Sequence, residues 1–332
     1  LAELKSIEGV RIYDIYERQI NELEIISNPS AGTGGNGGEK EVRDLEAKGD
    51  WVFFPWNKHL LHTVSEDQNI TLRTNRNRNI ITTEEQLRLR EFTMSIAGMS
   101  VGGNIASTMA YNGFPSTLKL ADFDLLETTN LNRIRGKLSD VGRPKLELIG
   151  EQLYEIDPYA DLQIFAHGVN EGNIQEFLSG APASRLVFEI IDDLKTKIIL
   201  RIEAKKLKIP VIMLSSIGDS VLIDIERYDT DPELTPFNGL VTRTDIEDIL
   251  SGKLAKSEEN KYVIKIVGRE NVPQKVMDSV MEIGKSLVGR PQLMSTITIE
   301  AGIASYLARR IALGEPVPSG RSKVLFEDFI NG

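Results

Sequence analysis

The sequence predicts an α/β fold: a mainly parallel, doubly wound sheet with helices on both faces, preceded by an N-terminal extension. Three observations predict it. Apolar runs of strand length alternate with helical patterns from Met94 to Ser216. A glycine turn joins the first of these runs to a helix of small residues. The second run ends on paired acids, Asp122 and Asp124, in the place where ligands of such sheets bind.

Taken in order, residues 1–26 read as helical, with Ile12, Ile15, Tyr16, Ile20 and Leu23 at helical spacing. SNPSAGTGGNGGEKE, residues 27–41, has the composition of a flexible linker. Its glycines neither follow a strand nor open a helix, so they are not read as a phosphate loop. The aromatic segment Trp51–Val64, interrupted by Pro55, reads as an irregular piece packed on the main domain. His59 and His62 are spaced to share a helix face. They read as a polar pair beside Trp51, Phe53, Phe54 and Trp56 rather than as metal ligands. A basic arm, RTNRNRN, covers residues 73–79, and Thr82 or Thr83 can cap a helix through Glu84–Arg90. Residues 1–80 are thus the extension and 81–330 the main domain.

In the main domain FTMSIAG is a buried strand, and GGNIASTMAYNG a helix stopped by Gly113. TLKLADF is the second strand, followed by the amphipathic helix PKLELIGEQLYEID, which ends before Pro158. ADLQIFA and SRLVFEIID are the third and fourth strands; TKIILRIEAKKLK is a helix leading to PVIMLSS. VLIDIERY opens a less regular portion with helices in IEDILSGK, NVPQKVMDSVMEIGKSLV and STITIEAGIASYLARRIAL.

Composition excludes several functions. The chain has 332 residues, a formal net charge of -10 and no cysteine. The acidic balance argues against a bulk nucleic-acid surface. Without cysteine there is no disulfide, thiolate nucleophile, cysteine zinc site or iron–sulfur cluster within this chain. No apolar run approaches the roughly 20 residues of a membrane span. The N-terminus lacks a signal pattern, its native start is expected to be missing because it opens on Leu1, and the expected location is cytoplasmic.

The chemistry concentrates between Ser95 and Lys145. Gly98, Ser100 and Gly103 occupy the three positions of a G-x-G-x-x-G turn, with Gly102 beside them and serine in the middle position. Such a turn brings backbone amides to phosphate oxygens at a helix N-terminus. Asp122 or Asp124 can accept hydrogen bonds from ribose hydroxyls, which would suit NAD equally well. Asn130, Asn132, Arg133 and Lys145 follow. A dehydrogenase has no evident use for that arginine and lysine, whereas a triphosphate does, because cleavage at the α-phosphate needs cations on the developing pyrophosphate. Asp192 and Asp193, ending the fourth strand, are suited to holding magnesium through oxygen.

The ordered set GMSVGG, ADFD, TTNLNR, DVGRPK and EIIDD resembles the ThiF/MoeB/HesA superfamily of adenylating enzymes, related to ubiquitin-activating enzymes, over roughly residues 70–325. The closing run, with GRPQLMS and LGEPVPSGR, looks like bacterial ThiF-type domains. The resemblance implies a Rossmann-like fold and use of ATP and Mg2+. It implies that the amides from Gly98 to Gly103 cradle phosphates, that Asp122 holds the ribose, and that Asn130, Arg133 and Lys145 contact phosphates. It gives magnesium to Asp192, with Asp193 as neighbour or substitute. It also implies a homodimer in which Arg76, or alternatively Arg78, reaches the partner subunit's site. The departures are Ser100, Ile134 where relatives often carry glutamine, and the missing thioester and zinc cysteines.

The function this implies is ATP-dependent adenylation of a substrate carboxylate, without a thioester on this chain. The candidate partner is a carboxylate-bearing peptide or small protein, with a ribosomally made peptide among the possibilities; no bulk nucleic acid and no membrane are expected. Two alternatives stand beside it: an NAD- or FAD-binding domain associated with an oxidoreductase, and a nucleotide-binding scaffold with a decayed site.

Overall fold

The computed structural model describes residues 1–31 and 48–331. Residues 32–41 of the predicted linker lie outside the described residues; the remainder forms the end of a helix and a 3-10 turn at Pro29–Ala31.

The extension holds α1 (Ala2–Lys5), β1 (Arg11–Asp14), α2 (Tyr16–Ser27), β2 (Asp50–Phe54), β3 (His59–Thr63) and α3 (Glu66–Arg73). Two expectations fail here. Residues 11–14 are not helical: β1 pairs in parallel with β3, Arg11 opposite His59 and Asp14 opposite His62. The aromatic segment is not irregular: β2 and β3 form an antiparallel hairpin, whose turn contains Pro55. Pairing across 48 residues overrides a local pattern that fits a helix equally well. His59 and His62 therefore do not share a helix face. His62 is fully buried, stacked between Trp51 at 4.3 Å and Tyr16 at 4.9 Å, and its ring nitrogens meet Asp14 and the Lys48 carbonyl. Of the aromatic neighbours expected for the two histidines, Trp51 packs on His62, whereas His59 meets Tyr13 edge-on.

The main body follows in chain order: α4 (Thr83–Arg90), β4 (Met94–Ala97), α5 (Met99–Tyr111), β5 (Thr117–Ala121), α6 (Lys145–Ile156), β6 (Asp161–Phe165), α7 (Ile174–Ser179) and β7 (Leu186–Glu189). Then come α8 (Leu194–Lys206), β8 (Val211–Ser216), β9 (Ser220–Glu226), α9 (Arg243–Leu250), α10 (Lys256–Val267), α11 (Gln274–Glu282), α12 (Met294–Leu313), β10 (Gly320–Leu325) and α13 (Asp328–Asn331). The sheet order is β10-β9-β8-β7-β4-β5-β6; β8 to β6 run parallel, and β9 and β10 close one side antiparallel. Alternating side chains divide between two cores. Ile96, Leu120 and Phe188 pack with α5, α6 and α12, whereas Ala97, Ala121 and Val187 pack with α7 and α8. The Rossmann-like prediction holds, with helices on both faces. No helix among the described residues is long and apolar enough to cross a membrane.

This winding sets the position of the site. From β4 the chain builds β5 and β6 on one side, then crosses to β7 and β8 on the other. The crevice outside the carboxyl ends of β4 and β7 is the switch point where open α/β sheets bind ligands. The extension docks on the α6–β6 side, where Trp56 lines one pocket with Asp122 and Asp124. Trp56 Nε1 and Asn57 Nδ2 each donate to Glu155 at 2.7 Å, and Arg73 and Arg90 share Asp157.

Candidate nucleotide site

The glycine turn is built for close approach. Gly98 has φ of +98°, and a Cβ there would stand 2.2 Å from the Ile190 carbonyl oxygen. Only glycine fits both the angle and the neighbour. Gly102 and Gly103 serve packing instead. A Cβ on Gly102 would meet Ile96 at 2.6 Å, and one on Gly103 would meet Ile149 of α6 at 2.6 Å. The N-terminus of α5, with the positive end of its dipole, thus faces the crevice.

Asp122 and Asp124 do different work. Asp122 is buried, and both its oxygens accept backbone hydrogen bonds, from Met99 N–H at 2.5 Å and from Asp124 N–H at 2.7 Å. It fastens the start of α5 to the end of β5. The Asp124 side chain is 52% exposed and meets Lys145 Nζ at 2.7 Å. Lys145, nearly buried at the first turn of α6, also donates to Ser100 Oγ at 3.4 Å. Ser100, Asp124 and Lys145 therefore converge at one point beside the helix start. The serine in the middle glycine position adds a polar contact there.

The Asn-Leu-Asn-Arg loop is pinned against this point. Asn130 Oδ1 accepts the Glu127 amide, shaping the turn. Arg133 Nη1 donates to Thr129 O at 2.9 Å and Asn132 Oδ1 at 3.0 Å, while its Nε is buried without a hydrogen-bond partner. Burial pulls the Arg133 pKa below its ordinary value, and Asp192 is the first charge opposing that shift. Ile134, the departure from the expected glutamine, is buried with Leu126 and Leu148, so it holds the loop to α6. Asn104 is a site-building residue that the motif reading missed. Its Nδ2 donates to the Arg133 carbonyl at 3.1 Å and its Oδ1 accepts from Arg135. The signal was present: a polar residue in the small-residue helix, directly after Gly103.

At the end of β7 the two acids also part. Asp193 is the N-cap of α8; one of its oxygens takes both the Thr196 amide at 2.7 Å and the Thr196 hydroxyl at 2.8 Å. Asp192 is 92% exposed and pairs with Arg290 at 2.7 Å. Beneath them lies a buried network. Glu189 accepts from Lys197 and from Arg201, and Arg201 Nε donates to Glu226. Burial would raise Glu189, but the Lys197 and Arg201 cations outweigh it and hold it below the usual carboxylate range. Since Glu189 also accepts the Ile191 amide at 2.8 Å, the network braces the loop that presents Asp192.

Arg76 and Arg78 are not brought to this site within the chain. They are exposed at a turn tied to the C-terminal end of α5, where Asn77 Nδ2 donates to the Asn112 carbonyl. That is the far end of a 13-residue helix from the glycine turn, about 20 Å by helical rise. Arg73 meets Asp157 and the Ala110 carbonyl.

The crevice, helix start and Asn-Leu-Asn-Arg loop coincide with the region that the ThiF family model matches, residues 74–235. This chain belongs to the ThiF/MoeB superfamily. Among curated relatives of this ThiF-family chain is an uncharacterized protein of Mycobacterium tuberculosis, MT1398, 34% identical over 84% of the chain. The chain spans 38% of that protein's length. The tRNA threonylcarbamoyladenosine dehydratase of Bacillus subtilis is 29% identical, covering 60% of this chain and 78% of its own. Among solved structures, PaaA aligns at TM-score 0.54 and 18% identity over 95% of this chain and 92% of its own. E. coli MccB with AMPCPP and MccA aligns at TM-score 0.52 and 17% identity, over 77% of this chain and 68% of its own. These structural likenesses show the same fold.

Proposed function

We propose that this crevice binds ATP and activates a substrate carboxylate by adenylation. The observation that carries the reading is the convergence of Ser100, Asp124 and Lys145 at the start of α5, with Arg133 and Asp192 beside them. Family membership and the likeness to MccB, solved with an ATP analogue and MccA, support it.

Each residue then has a role. The α5 amides and its dipole hold phosphate oxygens at the glycine turn. Asp124 has the exposed carboxylate suited to the ribose hydroxyls, while Asp122 acts behind it by holding the helix start. A carboxylate oxygen of the substrate attacks the α-phosphorus, the bond to the β-phosphate breaks, and pyrophosphate leaves. Lys145 and Arg133 stabilise the charge that gathers on the phosphates. No covalent nucleophile is required, and with no cysteine in the chain a thioester on it is excluded.

Magnesium fits the donors present. Asp192 is an exposed carboxylate with one oxygen outside its pair with Arg290, and Mg2+ is commonly held by one or two carboxylates together with substrate phosphates. Asp193, as a helix cap, is a poorer candidate. Bound at Asp192, the ion would neutralise phosphate charge.

The substrate class best supported is the carboxyl of a peptide or small protein. The net charge of -10 disfavours bulk RNA. The active unit in this reading is a homodimer, in which Arg76 or Arg78, remote from their own crevice, would reach the partner subunit's. The test is ATP–pyrophosphate exchange with candidate peptides encoded near the gene. Exchange that depends on peptide and disappears in Lys145→Ala is expected. Exchange retained at wild-type level in both Lys145→Ala and Asp192→Ala would overturn the site.

A further inference from the structure

The connection between α11 and α12, residues 283–293, is strapped to both walls of the crevice. On one side Arg290 Nη2 donates to Asp192 Oδ1 at 2.7 Å, across 98 residues of sequence. On the other, Asn132 Nδ2 donates to the Gln292 carbonyl at 2.7 Å, across 160 residues. Core packing does not account for this course, since α11 has no buried residue and Val288 is fully exposed. The polar contacts hold the strap where it lies. Pro291 keeps Arg290 in extended backbone, so its side chain is launched from a restricted segment.

We propose that Arg290 is a further phosphate-binding residue of this site, parked on Asp192 until a nucleotide arrives. The inference rests on the adenylation reading and adds a cation from the closing GRPQLMS run, to which no role at the site was assigned. Its chemistry follows from the pair it now makes. The Arg290 and Asp192 side chains are 54% and 92% exposed, and an ion pair so open to water contributes little to stability. A guanidinium bound to a phosphate makes charge-assisted, often bidentate, hydrogen bonds. Exchange of Asp192 for a phosphate is therefore favourable. The same exchange frees the Asp192 carboxylate, which cannot serve Arg290 and another cation equally well through the same oxygen.

The surroundings agree. Asn132, which holds the strap through Gln292, also accepts from Arg133, so Arg133, Arg290 and Asp192 belong to one connected set of groups. Arg133 retains a buried, unpartnered Nε. Two guanidinium groups thus face Asp192, Arg133 facing Glu127 as well, and a polyphosphate offers oxygens to both.

The experiment is calorimetric titration of the full chain with ATP and, separately, with AMP, in magnesium-containing buffer. Wild type, Arg290→Ala and Arg290→Lys are compared. We expect Arg290→Ala to lose about tenfold or more in ATP affinity while AMP affinity stays within twofold, and Arg290→Lys to recover part of the loss. Unchanged ATP affinity in Arg290→Ala, with wild type binding ATP, would overturn the role of Arg290 and leave the nucleotide reading standing. Equal losses for ATP and AMP would reduce Arg290 to a fastener of the strap and overturn the proposal. A wild type that binds neither nucleotide would remove the adenylation reading itself.

Discussion

Replacing Glu300 with glutamine should flatten the pH dependence of folding stability. Glu300 projects from α12 with no exposed surface; one oxygen bonds the Ser216 hydroxyl and the other, Oε1, has no partner. Burial raises its pKa from 4.5 to about 7, with the Ser216 hydrogen bond opposing the rise. Between those two values the native chain keeps a proton that the unfolded chain has released. The stabilisation from this proton is complete below about pH 4.5 and lost as pH climbs to about 7. A shift of that size corresponds to about 3 kcal/mol, at 1.36 kcal/mol per pKa unit. Urea unfolding of both proteins from pH 4.5 to 8 measures it. The wild type should fall by about 3 kcal/mol relative to Glu300→Gln across this range, with nearly all of the change complete by pH 7.5. Parallel profiles would show that Glu300 is not held protonated, and would refute the reasoning.

Other outcomes follow from the same geometry. Gly98→Ala combines a left-handed φ with a clash against the Ile190 carbonyl; it should cost about 3 kcal/mol or more and abolish ATP binding in titration. Gly103→Ala meets only the flexible tip of Ile149 and should cost about 1–3 kcal/mol in urea unfolding, with ATP binding largely kept. Mixing Arg76→Ala with Asp192→Ala subunits should restore part of the exchange activity that each lacks alone. No rescue would place Arg76 outside the partner's site.

The parts of this molecule legible in the sequence are those whose cause is local. The strand–turn–helix from Met94 to Tyr111 shows itself because an apolar run, a glycine forced by its φ, and small residues on a packed helix stand next to one another. Thr82 announces the start of α4 because its cap partner, Glu85, is three residues away. Elements with distant causes were not legible. RIYD becomes β1 because β3 lies beside it, and nothing in residues 11–14 names that partner. The polar edge strand β10 exists through pairing with β9, Gly320 opposite Ile225 and Leu325 opposite Ser220. The site divides in the same way. Lys145 and Asp124 could be found by motif, but the division of labour between Asp122 and Asp124, and between Asp192 and Asp193, depends on which backbone amides each carboxylate caps. Arg290 stood in the GRPQLMS run without a role, since only the fold brings it to Asp192.

The central claim is that a carboxylate oxygen becomes bonded to the α-phosphorus of ATP in this crevice. It is tested most directly with the peptide that supports pyrophosphate exchange, labelled with 18O in the carboxyl group to be activated. Mass spectrometry of the nucleotide released after the acyl group is transferred should show one 18O atom in AMP. Unlabelled AMP, or ADP accompanied by labelled phosphate, would contradict adenylation.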